Sequence, residues 1–173
     1  TDEKMIKYSD EEIIRIIKKD LADSKLLILA PVIKGRKGHY RELFVQIMRQ
    51  GFQKVRVDGK ILELDGKLQL DRYKVHDIEI VVDRLKVDSK STKRLSDSVQ
   101  TAMKHGKGSM MTLEHDSDQV RFFSRALMCP TTGIAYDEPA PNVFSFNSPY
   151  GACNKCNGLG TVAEISVDKI IPN

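Results

Sequence analysis

The sequence predicts an α+β domain of two layers, a mainly antiparallel sheet covered by helices, with a small irregular zinc-knuckle-like module after it. Three observations carry that reading. Segments with helical spacing interrupt segments with strand alternation in the order α, β-α-β-β-β-α-β-β. An Asp58-Gly59 turn joins two alternating segments, which makes at least one pair antiparallel. From Cys129 onward, Pro and Gly punctuate a stretch with little periodicity.

Ser9-Asp10-Glu11-Glu12 has the form of a capping box, and Ile13, Ile16, Ile17 and Leu21 follow at helical spacing, so a helix is predicted over residues 10 to 22. Lys25 to Lys34 is β-rich and apolar, a buried strand broken at Gly35. Leu43, Phe44, Ile47 and Met48 form an apolar helical stripe that Gly51 stops. In Phe52 to Leu64, Val55 and Val57 alternate with Lys54 and Arg56 before Asp58-Gly59, and Ile61, Leu62 and Leu64 come after it. Asp-Gly accepts the positive φ angles of a tight hairpin turn. Because Val55 and Val57 seek the core, Lys54 and Arg56 are predicted to point to solvent or a partner.

Val75 to Val87 reads as a long strand with Asp83-Arg84 near its far end. Ser91 to His105 reads as a helix carrying Leu95, Val99, Ala102 and Met103 on one face, ended by Gly106. Gly108 to Glu114 and Gln119 to Phe123 complete the sheet around a polar turn. The segment after Cys129 lacks a hydrophobic core of its own and needs a metal, the preceding domain or a larger protein to hold it.

At 173 residues with 40% hydrophobic content, the chain holds one ordinary domain and a small appendage. Its longest apolar run, Leu26 to Ile33, contains Pro31 and falls short of the roughly 20 residues that cross a bilayer. No secretory leader precedes the first helix, and the three unevenly spaced cysteines do not form a disulfide framework, so a cytoplasmic setting is expected. Both ends read as cuts through a longer protein. The net charge is +4, but Lys34 to Lys60 holds eight Lys or Arg against Glu42 and Asp58 and alone carries +6. One face rather than the whole surface is therefore basic.

No P-loop is present, since Gly59-Lys60, Gly66-Lys67 and Gly106-Lys107 are followed by Ile61, Leu68 and Gly108. Without one, this piece is expected not to hydrolyse ATP alone. There is no His-Glu-x-x-His and no Gly-x-Ser-x-Gly, and the four histidines share no metal spacing. Glu114-His115-Asp116 reads as a polar strand end, and Phe122-Phe123 as packing. Lys34-Gly-Arg-Lys-Gly-His-Tyr40 reads either as a phosphate-gripping loop or as a solvated connection. Cys129, Cys153 and Cys156 are candidate metal ligands, an incomplete set that needs a fourth donor from Asp137, Glu138, His115 or water. The alternative is a site that has lost its ion, with Thr132 at the vacated position.

With those residues in hand, the chain resembles the UvrA family, the damage-sensing ATPases of the bacterial UvrABC excinuclease in nucleotide excision repair. The most specific match is Phe144-Ser-Phe-Asn-Ser-Pro-Tyr-Gly-Ala-Cys153 running into Cys156-Asn-Gly-Leu-Gly160. Further matches are Leu29-Ala-Pro-Val-Ile-Lys-Gly-Arg-Lys-Gly38, Val55-Arg-Val-Asp-Gly59, Ile80-Val-Val-Asp-Arg-Leu85 and Arg94-Leu-Ser-Asp-Ser98. The resemblance covers essentially the whole chain. It implies a connection over residues 1–11, a domain over 12–125 that binds the excinuclease component UvrB, a zinc-module-like segment over 126–160 and a second connection over 161–173.

The resemblance further implies that Arg56, Arg84 and Lys54 contact acidic side chains of UvrB, the two arginines foremost because a guanidinium grips carboxylate with two prongs. It implies a parent that is an ABC-type ATPase and a homodimer, with ATP and DNA engaged by that parent and no catalysis by this piece. The family pattern Cys-Pro-x-Cys is departed from at Cys129-Pro-Thr-Thr132, which puts zinc binding in question. A rival reading is a free-standing nucleic-acid-binding domain with a degenerate zinc ribbon, using Lys34, Arg36, Lys37 and Arg41 on phosphates. A second rival, an enzyme with a Cys153 or Cys129 nucleophile, lacks a neighbouring base in sequence.

Overall fold

The computed structural model describes residues 3–88, 91–115, 117–136, 141–149 and 151–162. The chain divides into two compact units, Thr1–Tyr136 and Asp137–Asn173. In the first, α1 (Asp10–Asp20), β1 (Lys25–Lys37), α2 (Arg41–Arg49), β2 (Lys54–Val57), β3 (Lys60–Glu63), β4 (Val75–Lys86), α3 (Thr92–His105), β5 (Ser109–Glu114) and β6 (Val120–Ser124) follow the predicted order. The strands form one sheet in the order β3-β2-β4-β1-β5-β6, every pair antiparallel.

Helix α1 starts where the capping box places it: Glu12 N–H donates to Ser9 Oγ at 3.3 Å, and Ser9 N–H donates to Glu12 Oε2 at 2.9 Å. Its Ile13 and Ile17 join Phe44 and Ile47 of α2 and Leu95, Val99 and Met103 of α3 in one buried layer against the sheet. The sheet answers with Leu26, Ile28 and Ala30 of β1, Val55 and Val57 of β2, and Ile78 and Ile80 of β4. Because β1 lies inside the sheet, Leu27 and Leu29 are buried as well, on the face opposite the helices, with Met111 and Leu113. Burial on both faces explains why Leu26 to Ala30 is an unbroken apolar run rather than an alternating one.

The structure corrects the sequence reading at Gly35. Strand β1 does not break there but continues to Lys37, pairing Arg36 with His76 and Lys37 with Val75 after register shifts. Gly35 takes φ +62°, which a side-chain-bearing residue rarely adopts, and its N–H donates to Asp77 Oδ1 at 2.7 Å. Asp58 and Gly59 do take positive φ, 49° and 86°, at the β2–β3 turn. Two short strands escaped the reading, β7 (Leu127–Met128) and β8 (Ala135–Tyr136), because two residues are too few to show a period.

In the second unit, the described residues form a 3-10 turn at Pro141–Phe144 and a turn through the cysteine pair. Asn157 N–H donates to the Cys153 carbonyl at 2.7 Å, and Leu159 N–H to the Cys156 carbonyl at 2.9 Å. Both buried hydrophobic clusters lie in the first unit.

Candidate partner-binding face

The face of the sheet opposite the helices carries the charges the sequence singles out. Register places Arg56 opposite Glu79, Glu79 opposite Pro31, Val81 opposite Leu29, and Arg84 opposite Leu27. Since Leu27, Leu29 and Pro31 alternate on one side of β1, Arg56, Glu79, Val81 and Arg84 share that side. Strict alternation would put Glu79 and Arg84, five positions apart, on opposite sides. A bulge at Val82, where the register shifts between Ile28 and Leu29, returns Arg84 to the open face. Nothing local in the sequence marks that bulge.

Arg56 does not stand free as predicted. Its side chain is 17% exposed, with Nη1 3.4 Å from Oε2 of Glu79, itself 8% exposed. The correction has a physical cause: the turn of residues 129–135 covers part of the open face, with Gly133 seated on the Phe122 ring so closely that a Cβ would come within 2.4 Å of it. Lys34 Nζ donates to the Thr132 carbonyl at 3.0 Å and lies 5.5 Å from the Phe122 ring centre. Between these groups is a cavity of about 560 Å³ lined by Arg56, Glu79, Met111, Phe122 and Ile134 among others. Burial pushes the Glu79 carboxyl up, against the opposing pull of Arg56. Arg56 Nε is buried and without a hydrogen-bond partner among the described residues, so donor capacity is left over beside the pair.

Arg84 is exposed, and Nη2 lies 3.2 Å from Nε2 of His115, which accepts when the imidazole is neutral. Its neighbour Asp83 does not neutralise it. That carboxylate points to the helix side, where Arg94 Nε and Nη2 donate at 2.9 and 2.7 Å and Ser98 Oγ at 2.7 Å. Burial alone would raise the Asp83 pKa, and these hydrogen bonds together with the Arg84 N–H outweigh it and hold it low. Lys54, 49% exposed, lies 3.1 Å from Glu63 across the hairpin.

The hairpin that presents Arg56 is pinned by side-chain contacts of its turn residue Asp58 with the neighbouring strand. Asp58 Oδ1 accepts from the Asp77 N–H at 2.9 Å, and Oδ2 lies 2.7 Å from His76 Nδ1. His76 Nε2 lies 2.9 Å from the Asp71 carbonyl. With acceptors at both ring nitrogens, and Asp58 foremost, the imidazolium is favoured and its pKa rises. The sequence carries no local signal for this pair, because His76 reaches Asp58 only through the pairing of β2 with β4.

The candidate nucleic-acid contacts separate. Lys34 turns toward Thr132, while Arg36 and Lys37 are exposed at the end of β1. The candidate metal ligands divide between the units, Cys129 in the first and Cys153 and Cys156 in the second. The Cys129 thiol donates to Glu3 Oε2 at 3.2 Å, beside the Thr131 hydroxyl at 2.7 Å from Oε1. The Thr132 hydroxyl accepts from the Ile134 N–H at 3.3 Å. Asp137 and Glu138, named as fourth donors, lie outside the described residues. Among the described residues, no group of three or more His, Cys, Asp or Glu side chains is placed to hold a metal, and no helix is long and apolar enough to cross a membrane.

Residues 9–116 match the family described as the UvrA interaction domain. The chain is 43% identical over 165 residues to the UvrABC system protein A of Methanothermobacter thermautotrophicus, covering 93% of this chain and 17% of that protein. It is 42% identical over 150 residues to the Bacillus subtilis protein of the same name, 87% of this chain and 16% of the relative. With the Thermus thermophilus protein, also named UvrABC system protein A, it shares 38% identity over 167 residues, 95% of this chain and 18% of the relative. The chain thus spans about a sixth of the length of these relatives.

Proposed function

Since the chain belongs to the UvrA family and contains its interaction domain, we propose that it is the module by which the damage-recognition protein of nucleotide excision repair holds UvrB, its excinuclease partner. The observation that carries this reading is the open sheet face. There Arg84 is exposed without a carboxylate partner among the described residues, and Arg56 keeps an unused donor beside an apolar cavity. Both stand on adjacent strands of one sheet, so their spacing is fixed before a partner arrives. Carboxylates of UvrB would meet guanidinium groups already oriented, and association would be fast at low salt and slower as salt rises.

The parent protein is proposed to be an ABC-type ATPase and a homodimer that engages DNA and loads UvrB at damage in the cytoplasm, this chain contributing recruitment and no chemistry. No step of the reading runs through zinc. On the 129–132 turn the donor set is one thiol, and Thr132 offers a neutral hydroxyl already used by the backbone of Ile134.

The test is a pull-down of purified UvrB by the chain and by the Arg56→Glu, Arg84→Glu double variant. Capture by the wild type and loss of capture by the folded variant support the reading. Equal capture by both would remove the proposed site.

A further inference from the structure

Charge on the first unit is consumed unevenly. Arg15, Arg94, Arg121 and Arg125 each face a carboxylate, as Arg56 does. Arg36, Lys37, Arg41 and Arg72 have no ion pair among the described residues, and three of these lie in or beside the stretch where β1 hands over to α2. There a second cavity, of about 580 Å³, is lined by Lys37, His39, Tyr40, Glu42 and Arg72 with Gly38 and Leu43. Among the described residues, Glu42 supplies the one carboxylate of that lining.

The walls of this cleft are fixed. The Tyr40 hydroxyl lies 2.9 Å from the Arg36 carbonyl and 3.2 Å from that of Lys37, and donates into that pair of acceptors. The ring closes over Gly38, where a Cβ would come within 3.0 Å of it. Leu70 N–H donates to the His39 carbonyl at 2.9 Å, which ties the β3–β4 connection, and with it Arg72, to the opposite wall. Next to Arg72 stands Tyr73, 73% exposed, its ring 5.2 Å from the Arg72 guanidinium carbon. An aromatic ring that exposed contributes little to the core and offers a flat face to a partner.

We propose that this cleft binds a single-stranded nucleic acid, with Lys37 and Arg72 on its phosphates and Tyr73 stacked on an unpaired base. Leu43 is the only aliphatic side chain among the described residues of the lining, so the cleft lacks the apolar centre that a protein partner needs and the open sheet face has. Cations beside an exposed ring are the elements that grip a strand without reading its sequence. The site includes Arg72 and Tyr73 from a distant part of the chain and leaves out Lys34, so it differs from the loop that the sequence suggested. It does not depend on the docking of UvrB.

The experiment titrates the 173-residue chain with labelled oligothymidylate at several salt concentrations, alongside a duplex of the same length and polyglutamate. Lys37→Glu with Arg72→Glu should weaken binding at least about tenfold and lower the salt slope by about 1.4, about 0.7 for each phosphate contact on a single strand. Tyr73→Ala should cost about tenfold and Tyr73→Phe little, since the ring rather than the hydroxyl stacks. Lys104→Glu, on the exposed side of α3, should change nothing. Should the double reversal lose its fold by circular dichroism, Lys37→Gln with Arg72→Gln replaces it, with the same expected direction. No binding by the wild type, unchanged binding by the double variant or by Tyr73→Ala, or equal affinity for the duplex or polyglutamate would each overturn the proposal.

Discussion

On the helix side of β4, the Asp83 carboxylate takes three hydrogen bonds from Arg94 and Ser98. On the open side of the same strand, Glu79 faces Arg56 through one 3.4 Å contact, and Arg84 meets an imidazole rather than a carboxylate. The two regions hold similar charges four or five residues apart and differ in what is left over. Around Asp83 the carboxylate takes its bonds from Arg94 and Ser98 of α3, which ties that helix to the sheet. Beside Glu79, Arg56 Nε is left without a partner among the described residues, and an unused donor in a rigid frame is what an acidic partner can use. Counting cations would not separate the two regions, since Arg84 and Arg94 both stand in charged surroundings.

The largest effect expected from this contrast is on partner affinity: Arg84→Glu in the otherwise intact chain should weaken UvrB binding by about a hundredfold, as reversing one charge in a complementary interface does. Next in size is a stability effect on the saturated side. Asp83→Ala should lower unfolding free energy by about 2 kcal/mol, because Ser98 and Arg94 lose their acceptor in a partly buried site. Urea denaturation reads it, and a cost near zero would remove the distinction between the regions. A smaller effect separates the two carboxylates: Glu79→Gln should tighten UvrB binding a few-fold by releasing Arg56 while keeping an acceptor beside it, measured by titration calorimetry. Weaker binding would mean that Glu79 orients Arg56 rather than competing for it.

The hairpin that carries Arg56 should show its own pH signature. The raised His76 pKa means its contribution is fully present below the unfolded value of about 6.5 and is lost as pH rises through the folded value. Asp58 is held low because the Asp77 N–H and His76 outweigh the cost of burial, so its contribution is present above an unfolded value of about 3.9 and is lost as pH falls through the folded one. Between those limits the turn is most stable. Asp58→Asn should flatten both flanks of the denaturation midpoint plotted against pH, and flanks identical to the wild type would show that the pair does not titrate as assigned.

Much of the fold was legible because the signals are local. The Ser9–Glu12 box, the Asp58-Gly59 turn and the stripe Leu95, Val99, Ala102 and Met103 each declare an element within a few residues. The site was less legible because its decisive features are long-range. The 3.4 Å approach of Arg56 to Glu79 depends on β2 pairing with β4. The placement of Arg84 depends on a bulge that no turn residue announces. The cover over Phe122 comes from residues 129–135, whose strands are too short to show alternation. Alternation alone turned Arg56 to the right face of the sheet and could not say what else would be standing there.

The most direct test of the contrast is the affinity of purified UvrB for the chain, measured by titration calorimetry at low and high salt for the wild type, Arg84→Ala and Arg94→Ala. Arg84→Ala should bind at least about tenfold more weakly at low salt and lose part of the salt dependence, while folded Arg94→Ala should bind as the wild type does. Full affinity for Arg84→Ala, or a loss that falls on Arg94→Ala instead, would contradict the assignment of binding to the unsaturated side of β4.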